Sequence, residues 1–235
     1  MKSTTGAMRP AFRMFLCAAA VCACLSQGSA ATIAIINPSF EDPAQSSGGF
    51  NSSAPTGWST TGVFFGVWNP APNTYITSPT PDQNQIVYLG FDGTPTSLSQ
   101  TLTDSLLANT TYTLTFYAGL QNDHPNGNYT VSLLAGSTVL ASDTDGPLSA
   151  GNYSFRSIVY QTGANPTSGT LGIQVDVPYN QVLFDAFTLD ATASSSSAPE
   201  PGTLGVTGAS AALLAYLRAR TIRARKRSTA TEQVV

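Results

Sequence analysis

Cysteine, histidine and positive charge are scarce in this chain of 235 residues, and each scarcity removes a class of chemistry. The three cysteines, Cys17, Cys22 and Cys24, all fall in the first 31 residues. Beyond that segment a disulfide framework, a thiolate metal site and a cysteine nucleophile are excluded, so stability has to come from a packed core. About 160 residues suffice for one such domain. The one histidine, His124, stands in the polar loop sequence Asp123-His124-Pro125. A Ser-His-Asp triad could be assembled only through it, and a lone histidine in a polar loop is expected to be solvated. Of ten Lys and Arg, Arg156 alone lies in residues 32–198, against eleven Asp and Glu, a formal balance of −10 for that stretch. Nucleic-acid binding needs clustered cations facing phosphates and is disfavoured. Carboxylates paired for glycoside hydrolysis stay open through Asp82, Asp92, Asp143, Asp145 and Asp176, although none stands in a distinctive motif.

Long apolar runs occur only towards the two ends. Lys2, Arg9 and Arg13 precede the run from Met14 to Leu25, and small residues follow. That is the layout of a secretory signal peptide over residues 1–31, with cleavage expected after Ala30 or Ala31. Near the other end, residues 202–217 carry no formal charge. As a helix they span roughly 24 Å, somewhat short of a hydrocarbon core of about 30 Å, a gap that snorkelling and local thinning can close. Arg218, Arg220, Arg223, Arg225, Lys226 and Arg227 follow, so this flank is expected to stay cytoplasmic and the preceding chain to lie outside. An ordinary single-span anchor is one reading. The order Pro199-Glu200-Pro201, apolar span, arginine cluster over residues 199–227 resembles the PEP-CTERM sorting signal of Gram-negative bacteria. That resemblance implies processing by an exosortase-type membrane protease near Pro199, Glu200 and Pro201. It implies a chain exported across the inner membrane, transiently anchored, then placed at the cell surface or outside. A polar tail, residues 228–235, departs from the family pattern. Residues 191–198, ATASSSSA, read as a flexible linker that gives a protease access.

Residues 32–190 read as about ten short strands between turn signals. Expected strands are 32–36, 62–68, 85–91, 97–102, 111–120, 128–135, 138–142, 153–161, 171–177 and 181–189. Tyr112, Leu114, Phe116 and Ala118 alternate with threonines, and Leu171, Ile173, Val175 and Val177 alternate with Gly172, Gln174 and Asp176. Side chains two apart share a face of a strand, so both sets are expected in the core. The fold class is therefore all-β, a two-sheet antiparallel jelly-roll sandwich, flanked by an N-terminal signal helix and a C-terminal membrane-spanning helix. Asn37-Pro38-Ser39-Phe40-Glu41 opens the domain, Gly57-Trp58 and Gly66-Val67-Trp68-Asn69-Pro70 follow, and residues 182–189 close it. This order is similar to the galactose-binding-like jelly rolls, which include carbohydrate-binding modules.

The resemblance implies a structural calcium where the first and last strands meet, at Glu41 and Asp185; the alternative is a pair of solvated or hydrogen-bonded acids. The alternation breaks at Asp185, so a bulge is expected near Asp185-Ala186. Trp58 and Trp68, with Phe64, Phe65, Tyr75 and Tyr88, are the aromatic supply for a sugar platform, against an ordinary core role. No cofactor is required beyond that calcium. The expectation from these residues is a non-enzymatic, exported surface or matrix protein that binds extracellular polysaccharide. The alternatives are a purely structural or adhesive protein on an ordinary anchor and a secreted glycan-active enzyme.

Overall fold

Eleven strands alternate between two sheets in the computed structural model, which describes residues 30–91, 93–144 and 148–194 together with Arg218. The expected signal helix, the Pro199-Glu200-Pro201 segment and the membrane-spanning helix lie outside the described residues, Arg218 excepted. The strands are β1 (Ala30–Ile33), β2 (Ser59–Thr61), β3 (Phe65–Trp68), β4 (Ile86–Leu89), β5 (Thr96–Ser105) and β6 (Thr110–Gly119). They continue as β7 (Asn128–Ala135), β8 (Thr138–Thr144), β9 (Tyr153–Gln161), β10 (Thr170–Tyr179) and β11 (Val182–Ala193). The first sheet runs β3-β4-β11-β6-β9, with β1 beside the second half of β11; the other runs β2-β5-β10-β7-β8. Neighbours within both sheets are antiparallel. The all-β, two-sheet architecture is thus as expected.

Period-two alternation sets which face each strand buries. On β6, Tyr112, Leu114, Phe116 and Ala118 are buried; on β10, Leu171, Ile173, Val175 and Val177 meet them from the opposite sheet. Full burial of each large aliphatic or aromatic side chain stabilises by about 1.5–3 kcal/mol, which is how the sandwich stands without a disulfide. One expected strand divides. Residues 62–68 do not form a single element: Ser59–Thr61 pairs with β5 in the second sheet, and Phe65–Trp68 pairs with β4 in the first. Gly62 lies between them at φ 97°, a left-handed conformation that lets the chain cross from one sheet to the other.

The sandwich is closed on one side by charge. Arg156 of β9 donates from Nε to Asp143 Oδ2 at 2.9 Å and from Nη2 to Oδ1 at 3.0 Å, a two-pronged pair reaching β8 of the other sheet. Tyr129 of β7 donates its hydroxyl to the same carboxylate at 2.7 Å. The lone arginine of the stretch therefore joins the edge strands of two sheets, where one backbone ladder cannot reach the other.

Candidate functional site

The outer face of the first sheet, turned away from the sandwich core, is built in rows that register fixes. Gly66 pairs with Tyr88, Tyr88 with Leu183, Leu183 with Gly119, and Gly119 with Tyr153. The next row carries Trp68, Ile86, Asp185, Tyr117 and Phe155. Side chains of these positions stand on one face. Trp68, Ile76, Ile86 and Leu183 pack together, with Tyr88 and Tyr153 against them, as a second apolar cluster separate from the main core. Glycine is required at 119, since a Cβ there would lie 2.6 Å from the Tyr153 ring.

Over these rows opens a cavity of about 620 Å³ lined by Phe50, Phe64, Trp68, Tyr75, Tyr88 and Phe91, with Ser52, Gln121 and Gln181 supplying polar groups. Its described lining contains no Asp, Glu, Lys or Arg. Phe50 is 68% exposed, which its place at the mouth explains. Backbone bonds between segment 48–51 and β3 hold it there: Asn51 N–H donates to Val67 O at 2.9 Å and Asn69 N–H to Gly49 O at 2.9 Å. The Tyr88 hydroxyl donates to Asn51 O at 2.6 Å. At the rim His124 tilts over Phe91, ring centroids 5.3 Å apart, with Nδ1 3.0 Å from Asp123 Oδ1. His124 is therefore half-covered beside an apolar cavity rather than free in a polar loop.

The two tryptophans expected as a sugar platform part company. Trp58 is buried at 6% exposure, its ring 5.4 Å from Phe40 and 5.6 Å from Phe187, with Nε1 donating to Asn37 O. Packed rings occupy its faces, so it offers no surface to a pyranose. Trp68 is also largely buried, yet it lines the cavity and meets Tyr75 at 6.0 Å. Sequence reasoning named Phe64, Tyr75 and Tyr88 as aromatic supply but missed Phe50, Phe91, Gln121 and Gln181, which register across distant strands and loops brings to the same place.

Glu41 and Asp185 do approach each other, and Asp82 joins them. Asp185 is fully buried, accepting from Asp82 N–H at 2.9 Å and Ala186 N–H at 2.7 Å. Glu41 Oε1 accepts from Asn84 and Gln85 N–H at 2.8 and 2.7 Å, and Asp82 Oδ2 accepts from the Ser39 hydroxyl at 2.5 Å. Asn37, Phe40, Gln83 and Ala186, all with left-handed φ between 50° and 56°, flank these carboxylates. Such strained backbone persists only where surrounding contacts hold it. Burial, opposed by the two N–H donors and reinforced by the charges of Asp82 and Glu41, pushes Asp185 up to about 8. No set of three or more His, Cys, Asp and Glu side chains among the described residues converges on a metal position. A cation here would need backbone carbonyls as well, which is how calcium is held.

Fold and cavity together define a class: a jelly-roll sandwich that presents a neutral, aromatic-walled chamber on the outside of one sheet. The chain belongs to the HpiC1-like family, described as HpiC1 cyclase, whose sequence pattern matches residues 31–190. Among solved structures it is similar to a cyclase from Fischerella sp. TAU, at 27% identity and TM-score 0.64 over 72% of this chain and 100% of that one. It is similar likewise to the Stig cyclase Fisc from Fischerella sp. TAU in complex with (3Z)-3-(1-methyl-2-pyrrolidinylidene)-3H-indole, at 27% identity and TM-score 0.62 over 69% and 98%. A Fischerella sp. TAU cyclase in complex with 4-(1H-indol-3-yl)butan-2-one aligns at 26% identity and TM-score 0.63 over 71% and 100%. No curated protein matches the chain. The expectation of a non-enzymatic, glycan-binding matrix protein is overturned by this family, whose members are catalytic cyclases. Its matrix part had rested on the PEP-CTERM-like tail, and its glycan-binding part on the jelly-roll resemblance and on aromatic residues that a sugar platform and an aromatic chamber share.

A pH dependence follows from Asp185. Its folded-state value of about 8 lies above that of an unfolded aspartate, so the stability tied to its proton is complete below about pH 4 and is lost as pH rises through 8. With a chelator present, the urea midpoint is expected to fall between pH 5 and pH 8. Asp185→Asn should flatten that fall, and an unchanged slope in the variant would assign it to another group.

Proposed function

We propose that this domain is a cyclase that closes a ring within a compact, neutral, aromatic substrate seated in the chamber of the first sheet. The observation that carries the reading is the lining: six aromatic side chains around about 620 Å³, with no ionised group among the described lining residues. An isomerising ring closure begins with protonation of an unsaturated carbon, which places positive charge on the substrate. A second unsaturated carbon then bonds to the cationic centre, and the ring cation ends by losing a proton, so no net atom is gained or lost. Aromatic faces stabilise such charge by roughly 0.5–2 kcal/mol each. A neutral wall has no carboxylate to capture the cation, and a substrate seated against these rings is held folded with its reacting carbons in contact. The bound indoles of the Fischerella cyclases are of a size that such a chamber accepts. At the rim, His124, oriented by Asp123, is the group assigned to move the proton.

Indoles bearing an alkenyl arm, incubated with the purified full-length chain, should yield products of unchanged mass and new retention time by liquid chromatography–mass spectrometry. Trp68→Ala should lower kcat/KM about tenfold or more by removing one ring face, and His124→Gln should lower kcat. Binding without turnover across such a panel would sink the cyclase reading.

Two further readings rest on other residues. We infer that Glu41 and Asp185 hold a calcium ion with neighbouring carbonyls, because the charges of Glu41 and Asp82 act on the fully buried Asp185 while Arg156 is committed to Asp143. Bound there, the ion would supply the positive charge that lets the loop of residues 37–43 and the loop of residues 80–85 stay closed over β11. Added calcium should raise the urea midpoint and Glu41→Gln should abolish the rise; no rise in the parent protein would remove calcium from the account. We also propose that the enzyme works outside the cytoplasm, from the signal-like residues 1–31 and the PEP-CTERM-like residues 199–227. Replacing Pro199-Glu200-Pro201 with alanines should then leave the protein in the membrane fraction, whereas unchanged release would point to an ordinary anchor or a nonspecific nick.

A further inference from the structure

Asn126 is followed by Gly127, the one Asn-Gly pair in the chain. Asn37, Asn69 and Asn165 precede proline, which has no N–H, and the remaining asparagines precede residues whose Cβ crowds the backbone nitrogen. Residues 125–127 lie in neither a strand nor a turn, on the connection from β6 to β7. Asn126 is exposed, and among the described residues neither its side-chain amide nor the Gly127 N–H has a hydrogen-bond partner. Other asparagines are held by theirs. Asn51 Oδ1 accepts from Val67 N–H at 3.2 Å, Asn69 Nδ2 donates to Gln45 O at 2.9 Å, and Asn152 Oδ1 accepts from the Ser78 hydroxyl at 2.7 Å. Gly127 is itself tightly seated: a Cβ there would lie 2.7 Å from both Leu120 Cδ2 and Val182 Cγ2, and 3.0 Å from Gln181 O.

We propose that Asn126 is a site of spontaneous deamidation, which turns this loop from neutral amide to carboxylate as the protein ages. The Gly127 nitrogen bonds to Asn126 Cγ while the bond from Cγ to the amide nitrogen breaks. The proton of the Gly127 N–H leaves with that nitrogen as ammonia. The five-membered imide so formed then takes up one water. Opening at Cγ leaves aspartate on an ordinary backbone; opening at the main-chain carbonyl leaves isoaspartate, with the chain running through Cγ and the α-carboxylate free. Either product exchanges NH₂ for an ionised oxygen two residues from His124. Isoaspartate also adds a methylene to the main chain directly before Gly127, where Leu120 and Val182 leave no slack. The modified protein is therefore less stable than the parent. None of this depends on what the chamber binds.

The test follows the purified full-length chain through incubation at mildly alkaline pH, beside Asn126→Gln, whose longer side chain must close a larger ring. Peptide mass mapping should show replacement of NH₂ by OH accumulating at residue 126 of the parent. A protein isoaspartyl methyltransferase should label the aged parent at the same place. In the variant residue 126 should acquire neither mark. The folded parent should convert within about tenfold of its rate in guanidinium chloride, because an open, unbonded loop needs no prior unfolding. The aged parent should unfold at a lower temperature than the fresh protein, while the aged variant keeps its own. No conversion at residue 126, or conversion that folding slows well beyond about tenfold, overturns the site. An unchanged unfolding temperature after full conversion overturns the destabilisation at Gly127.

Discussion

The extra residue in β11 governs both the core and the site. Before it, Val182 and Phe184 face the other sheet while Leu183 and Asp185 face outward; after it, Phe187, Leu189 and Ala191 face inward. The register against β6 shifts between Asp185 and Thr188, and Ala186 takes φ 52° to accommodate the shift. In a strand a one-residue slip sends each side chain to the opposite face. Without the bulge, either Phe187 and Leu189 would leave the core or Asp185 would enter it, a carboxylate among aromatics at a cost of several kcal/mol. Phe187 N–H, freed from the ladder, donates to Pro38 O at 3.0 Å, so the same irregularity pins the loop that carries Glu41. Core continuity, the buried carboxylate and the loop that covers it are three results of one inserted residue.

Much of the fold could be read directly from alternation. β7 and β9 fall on the expected residues, β6 and β10 differ by one or two at their ends, and the bulge at Asp185-Ala186 lies where the pattern breaks. These strands each bury one apolar face against a partner, so burial imposes the period on the sequence. The split of residues 62–68 was not legible, because Gly62-Val63-Phe64-Phe65 contains enough β-forming residues to run on as one strand. What ends it is a change of sheet, a tertiary event with no local periodicity. β2 is polar and only three residues long, Ser59–Thr61, and it pairs because β5 has a free edge rather than because its sequence demands a strand.

The site was legible in its ingredients and illegible in its assembly. Phe50, Trp68, Tyr75, Phe91 and Gln181 come from five separate places in the chain, and sheet register alone makes them neighbours. Aromatic residues without a charged motif suit a sugar platform, a core and a hydrophobic reaction chamber equally well. The sequence therefore favoured a binding protein where the family is one of enzymes. Glu41 and Asp185 were singled out because they sit in the strand-end motifs at the two ends of the domain; Asp82, in a loop of Pro, Gln and Asn, had no such signal. Chemistry performed by the shape and polarity of a wall leaves fewer marks on a sequence than chemistry performed by an ionised triad.

The Arg156–Asp143 bond has a consequence for how the chain meets proteases. Residues 32–198 hold one basic side chain, and it is engaged by a carboxylate from the neighbouring sheet in the middle of a paired strand. An enzyme that cuts after lysine or arginine needs that side chain extended into its own specificity pocket, with the backbone around it free to straighten. Here the whole sandwich offers such an enzyme a single target already committed to holding the two sheets together, while six of the ten basic residues lie together between Arg218 and Arg227. Trypsin-like digestion is therefore expected to spare the sandwich at Arg156.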